Sequence, residues 1–253
     1  MYPTDLTDRQ WQIIEGLLAD QRKRKHNLRD VFNALFYVVK GGIPWRQMPN
    51  DLPPWETVYY YFRKFQRLGV WQEVNDALRE KLRQRAGRKA SPSAAVLDSQ
   101  SVKTTLVGGQ RGYDAAKCVK GRKRHILVDT MGFLLQIIVH RADVDERRGA
   151  LFLLRRLNKF SNCYPRLRVI FADAGYSGEF QNTVKKCFGW ALKIVRRKFG
   201  VKMFIPLPKR WIVERTFGWI TSHRRLSVDY ERSTKVSEAM IQLAMIRIMI
   251  KRL

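Results

Sequence analysis

The feature that most constrains the fold is a change of period at Gln84–Ser93. Before it, apolar residues return at helical spacing; after it, they fall into short strand-like runs. The stretch itself, "QRAGRKASPS", is basic, small and proline-containing, as a junction between two units would be. The chain therefore divides into a helical segment over 1–87 and a larger α/β segment over 88–253. No internal repeat is visible.

In the first segment, Thr7 followed by Gln10 is a capping-box pattern, and Trp11, Ile14, Leu17 and Leu18 then recur on one helical face. A second helix is expected from Asn27 to Lys40, with Leu28, Val31, Leu35 and Val38 inward and Gly41-Gly42 ending it. Four prolines break the segment Pro44–Pro54, and "WETVYYYFRKFQRLG" then reads as a third helix with Arg63, Lys64 and Arg67 among its aromatics. Two helices, a break and a basic aromatic helix fit a helix-turn-helix module that reads DNA; a small bundle with a solvated basic face fits equally well.

The second segment predicts strands at "AAVLDSQSV", "RKRHILVDT" and "FLLQIIVHR", and a helix at "RRGALFLLRRLNKF". A strand at "LRVIFADAG", a helix at "EFQNTVKKCFG", a strand at "WALKIVRR" and a helix around "RWIVERTFGW" complete it. Three strands, helix, strand, helix, strand, helix is the order of an RNase H-like mixed sheet with flanking helices. The closing "AMIQLAMIRIMI" is almost continuously apolar, and its methionines are core material.

The 253 residues carry 49 Lys and Arg against 22 Asp and Glu, a formal charge of +27. Such an excess selects a polyanionic partner, nucleic acid ahead of anionic lipid. Absence of a long uncharged apolar run and of a signal-peptide pattern at Met1–Asp8 argues for no membrane role and a cytoplasmic setting. Three dispersed cysteines fit reduced thiols, and four histidines without ligand spacing argue against a zinc site.

Candidate chemistry lies in carboxylates. Val96-Leu97 leads into Asp98, and Val169–Ala172 leads into Asp173, so each acid follows an apolar strand, where α/β sheets bind ligands. A turn aspartate capping local backbone is the alternative for each, as expected for Asp129 before Thr130 and Gly132. Glu214 is the lone acid of the last helix. At about 100° per residue, Arg210, Gly218, Thr221 and Arg225 fall within about 40° of it, a polar stripe on an otherwise apolar helix. That stripe suits a cleft in which Glu214 holds a cation; it also suits a surface face on which Glu214 pairs with Arg210 or Arg215. Two strand acids and one helix acid are what two hard cations, Mg²⁺ or Mn²⁺, require for phosphoryl chemistry. Lys117, Lys120, Arg122, Lys123 and Arg124 in "KCVKGRKRH" could follow a DNA backbone or form a solvated basic hairpin.

With these residues in view, "VLDSQSVKT", "RGYDAAKCVKGRKRHILVDTMG", "FADAGYSGEF", "KRWIVERTFGWITSHRRLSVDYE" and "SEAMIQLAMIRIMIKRL" resemble the DDE transposases of bacterial insertion sequences, in the insertion-sequence-five branch. "YPTDLTDRQWQIIEGLL" and "GGIPWRQMPNDLPPWETVYYYF" resemble the helical N-terminal domain of the same proteins. The resemblance implies an RNase H-like core with Asp98, Asp173 and Glu214 as catalytic metal ligands. It also implies double-stranded DNA as partner, both the element's terminal inverted repeats and a target, held by a homodimer or higher assembly. Cleavage with transfer of a 3′-hydroxyl end is the implied reaction; a hydrolytic nuclease or a silent DNA-binding derivative are the alternatives. The family signature around the glutamate, Tyr, two residues, Arg, three residues, Glu, six residues, Lys, is met at Arg210 and Glu214. Leu207 and Thr221 stand at its outer positions, and Arg224 and Arg225 are the expected substitutes for the missing cation.

Overall fold

The computed structural model describes residues 1–18, 25–195 and 209–253. Helix α1 (Asp8–Glu15) starts at the expected capping box: the Thr7 hydroxyl accepts from the Gln10 amide, and the Gln10 side chain accepts from the Thr7 amide. Helix α2 (Leu28–Gly41) is capped by Asn27 and stops where Gly42 turns left-handed at φ 77°. Helix α3 (Trp55–Leu68) ends the same way at Gly69, and α4 (Val70–Arg85), which has no counterpart in the sequence reading, follows at once.

Strands β1 (Ala94–Lys103), β3 (Val119–Asp129) and β4 (Leu134–Arg141) form an antiparallel set, with the short β2 (Gly112–Asp114) paired to the start of β3. After α5 (Glu146–Lys159), β5 (Val169–Ala172) pairs parallel to β1. After α6 (Glu179–Phe188), β6 (Ala191–Ile194) pairs parallel to β5. The resulting order β4-β3-β1-β5-β6, antiparallel on one side of β1 and parallel on the other, is the RNase H-like arrangement. Helices α7 (Arg210–Thr221), α8 (Arg224–Ser227) and α9 (Thr234–Ile250) close the chain.

Side chains alternate across a strand, so each strand supplies two cores. Ala95 and Leu97 of β1, with Ile170 and Ala172 of β5, pack under α5 and α6. Val96 faces the other way, into a core shared by α1, α2, α3, α4, α7 and α9, and Phe171 packs against that core. Helix α9 is buried nearly all round, against α4, α2 and β4, which explains its continuous apolar sequence. Among the described residues, no helix is long and apolar enough to cross a membrane.

Candidate active site

The sheet's alternation fixes where the two aspartates point. The parallel β1/β5 pairing ends at Val96 opposite Phe171. Asp98 and Asp173 each lie two residues further on, hence on the face of Val96 and Phe171, which is the face covered by α7. β1 itself continues past Asp98 against β3, so this acid is mid-strand on one side and unpaired on the other. Asp173 leaves β5 and caps a single helical turn, accepting from the Gly175 amide at 3.0 Å.

Helix α7 is anchored by Val213, Phe217 and Ile220, all buried. That leaves Arg210 and Glu214 toward the aspartates, and a recess beside Asp98 and Asp173 is lined by Val213 and Arg210. Gly218 on the same stripe faces open space. The stripe does not extend to Arg225, because α7 stops at Thr221 and α8 starts a new axis. Asp98, Asp173, Glu214, Arg210 and Lys117 all line one cleft of about 1000 Å³.

Electrostatics in the cleft are unbalanced. Burial, then the charge of Asp173, push Asp98 up to about 6, while the Ser99 amide at 2.7 Å, Arg210 and Lys117 pull against them. Glu214 is exposed and paired with Arg210 at 3.0 Å. In that pairing its carboxylate is engaged, and among the described residues no group of three or more His, Cys, Asp or Glu side chains is spaced to hold a metal ion. Burial, then the charges of Asp98 and Glu146, drive the pKa of the Tyr176 hydroxyl up, against the pull of Ser99; the residue is only 1% exposed.

Glu146 escaped the sequence reading. It opens α5, lines the same cleft, accepts from Ser99 at 3.2 Å and pairs with Lys117 at 2.9 Å. It lies five residues past the end of β4, beyond Asp143 and Asp145, whereas Asp173 follows its strand directly, so nothing in the sequence singled it out.

The basic stretch behaves differently from expectation. Lys117 and Lys120 are exposed, but Arg122, Lys123 and Arg124 belong to the central strand β3 and are buried. Arg122 pairs with Asp229 at 3.1 Å and donates to the carbonyls of Glu231 and Arg232. Arg124 donates to the Leu226 carbonyl, and Lys123 pairs with Asp114 at 3.3 Å. These three cations tie the sheet to α8, to the chain after it and to β2, so they are unavailable to a DNA backbone, and the stretch is no solvated hairpin either. Arg225 is likewise withdrawn: it is buried and paired with Glu231 at 2.8 Å. Arg224 remains exposed. On α3, Arg67 is exposed, Arg63 and Lys64 are half-buried, and Lys64 lies over the Tyr61 ring. Leu207 lies outside the described residues. Asp129 takes the turn role expected of it, accepting from the Met131 and Phe133 amides, and adds a buried pair with Arg83 at 2.7 Å.

The family model described as "Transposase DDE domain" matches residues 89–249. The chain belongs to the DDE transposase family. A second model, "Putative transposase of IS4/5 family", matches residues 6–75. This DDE-family chain is 30% identical over 131 residues to the "Putative transposase for insertion sequence element IS402" of Burkholderia cepacia, covering 49% of this chain and 60% of that protein. It is 27% identical over 117 residues to the "Insertion element IS402 uncharacterized 16.2 kDa protein" of the same organism, 42% of this chain and 78% of that one. The match thus spans about three-fifths of the first relative's length. Among solved structures, the "Crystal structure of the Mos1 mariner paired end complex with Mn" overlays 97% of this chain and 84% of its own at 11% identity, with a TM-score of 0.33. That overlay is too loose to bear on the site.

Proposed function

We propose that this chain is an insertion-sequence transposase whose Asp98, Asp173 and Glu214 hold divalent cations, Mg²⁺ or Mn²⁺ and two in number, for cutting DNA and joining the freed 3′ end to a target. The observation that carries this reading is the convergence of two strand acids and one helix acid on a single cleft in a strongly basic protein. Bound there, such cations would supply activation of the attacking oxygen and stabilisation of the leaving oxygen at phosphorus.

The chain's own residues have definite tasks. Asp98, raised to about 6, is ionised at neutral pH, and a bound cation would relieve the cost of that charge. Glu214 must leave Arg210, and the freed guanidinium then faces the same cleft, where it can hold a phosphate oxygen. Lys117, at the rim opposite, offers a second cation to the backbone. The division into a DNA-reading unit over 1–87 and a catalytic unit over 88–253, with Arg63, Lys64, Arg67, Lys120 and Arg224 touching duplex DNA, is part of the same proposal. So are terminal inverted repeats as the specific ligand and a homodimer or larger assembly on them.

Asp98→Asn, Asp173→Asn and Glu214→Gln should each abolish Mg²⁺-dependent cleavage while gel shifts show DNA binding retained. Near wild-type cleavage by any one removes that residue from the site. Supplying a labelled end with an exposed 3′-hydroxyl and a circular plasmid separates transfer from hydrolysis, since only transfer leaves label joined to plasmid after denaturation and protease treatment.

A further inference from the structure

Helix α7 is a wall between two clefts. One flank carries Arg210 and Glu214; the other carries Trp211, Arg215 and Trp219, spaced four apart and therefore in one row. The Arg215 guanidinium lies 4.4 Å from the Trp211 ring centroid and 4.6 Å from that of Trp219. Arg252 stacks on Trp219 at 4.0 Å and on Phe133 at 5.3 Å. Cations and aromatic faces thus alternate from Trp211, which is 49% exposed, to the chain's last turn.

This row borders a second cleft, of about 460 Å³, lined by Arg85, Arg88, Arg215 and Arg252 with Thr130 and Trp219. Among the described residues no Asp or Glu side chain lines it. Among the described residues none of the four guanidinium groups is paired with an Asp or Glu side chain. Arg85 donates to the Arg252 carbonyl and to the main-chain oxygen of Leu253, Arg88 to the Thr130 hydroxyl and Arg215 to the Met131 carbonyl. The nearby acid, Asp129, is fully buried and already holds Arg83. Burial lowers the pKa of Arg215 and of Arg252, and the charge of Arg215 lowers Arg252 further. Arg88, Arg215 and Arg252, three like charges gathered without an acidic side chain beside them, leave an electrostatic cost that a polyanion would offset.

We infer that this second cleft binds the phosphodiester backbone of the same DNA duplex that reaches Glu214, carrying the DNA path across α7. The inference rests on the DNA reading above. An α-helix is about 10–12 Å across, whereas one duplex turn is about 34 Å long, so a duplex seated on one flank of α7 extends over the other. Guanidinium groups match phosphate oxygens bidentately, and the exposed Trp211 face offers a flat surface to a sugar or base edge.

The test uses the whole chain with EDTA present, so that the carboxylate site plays no part. The probe is a fluorescent random-sequence duplex of roughly 40 base pairs, titrated by anisotropy between about 50 and 200 mM salt. Arg88→Gln and Arg252→Gln should each reduce the slope of log affinity against log salt by about 0.9, and lower affinity about eightfold near 0.1 M. Lys186→Gln, an exposed cation on the distant α6, should leave the slope unchanged. Arg88 is exposed and its side chain hydrogen-bonds the Thr130 hydroxyl, so its variant keeps the test sound even if removing the Arg252 stacking disturbs folding. Wild-type slopes in Arg88→Gln, or an equal drop in Lys186→Gln, would overturn the inference and leave the proposed function standing. Failure of the wild-type chain to bind duplex at all would remove both.

Discussion

Neutralising Asp98 should make the metal-free protein more stable at neutral pH. Its carboxyl is raised from 3.8 to about 6, chiefly by burial and next by Asp173. Each unit is worth about 1.4 kcal/mol, so ionising this group in the folded state costs on the order of 3 kcal/mol. Asp98 is only partly buried, and solvent screening reduces the figure to about 1–3 kcal/mol. The sign is opposite to that of a salt-bridged aspartate. The unfolded chain loses this proton at lower pH than the folded one, so through this group stability falls as pH rises from about 4 to 6. Below that window both states are protonated and the cost vanishes; above it the cost is complete. Asp98→Asn should therefore match wild type near pH 4 and exceed it by about 1–3 kcal/mol at pH 7.5, in urea unfolding followed by tryptophan fluorescence with EDTA present. Asp173→Asn should recover only part of this gain, because the neighbouring charge is the lesser cause. Added Mg²⁺ should stabilise wild type and not Asp98→Asn, since a ligand that binds only the folded state raises stability by mass action. An Asp98→Asn protein no more stable than wild type at pH 7.5, or a gap of equal size at pH 4, would refute the reasoning.

Other outcomes follow from contacts away from the cleft. Arg83→Met leaves the Asp129 carboxylate, 0% exposed, without its cation and should cost about 3–5 kcal/mol, with Arg83→Met/Asp129→Asn recovering part of it in the same unfolding assay. Gly42→Ala meets two obstacles, a left-handed backbone and a Cβ only 2.8 Å from that of Arg224; a loss of roughly 2 kcal/mol is expected, read as a lower urea midpoint at unchanged slope.

The sequence by itself determined most of the elements, though not α4 or β2, and the placing of the two aspartates after apolar strand runs. Alternation in "AAVLDSQ" and "VIFAD" puts Asp98 with Val96 and Asp173 with Phe171, and the helical period leaves Glu214 on the polar stripe of α7, because periods of two and 3.6 are local properties; that both acids share one face follows only from the β1/β5 register. The capping box at Thr7, the Gly42 stop and the Asp129 turn were legible for the same reason. What only the tertiary structure decided depends on partners distant in the chain. "GRKRH" reads as a basic surface until Asp229, Glu231 and the Leu226 carbonyl, about a hundred residues later, close around Arg122 and Arg124. Glu146 joins the cleft only because α5 crosses back to the Asp173 turn, and the Arg215–Trp219–Arg252 row needs α7 and the last turn of the chain side by side. A charge is a sequence fact, but whether it meets solvent, a carboxylate or another charge depends on burial and on which segments the fold brings together.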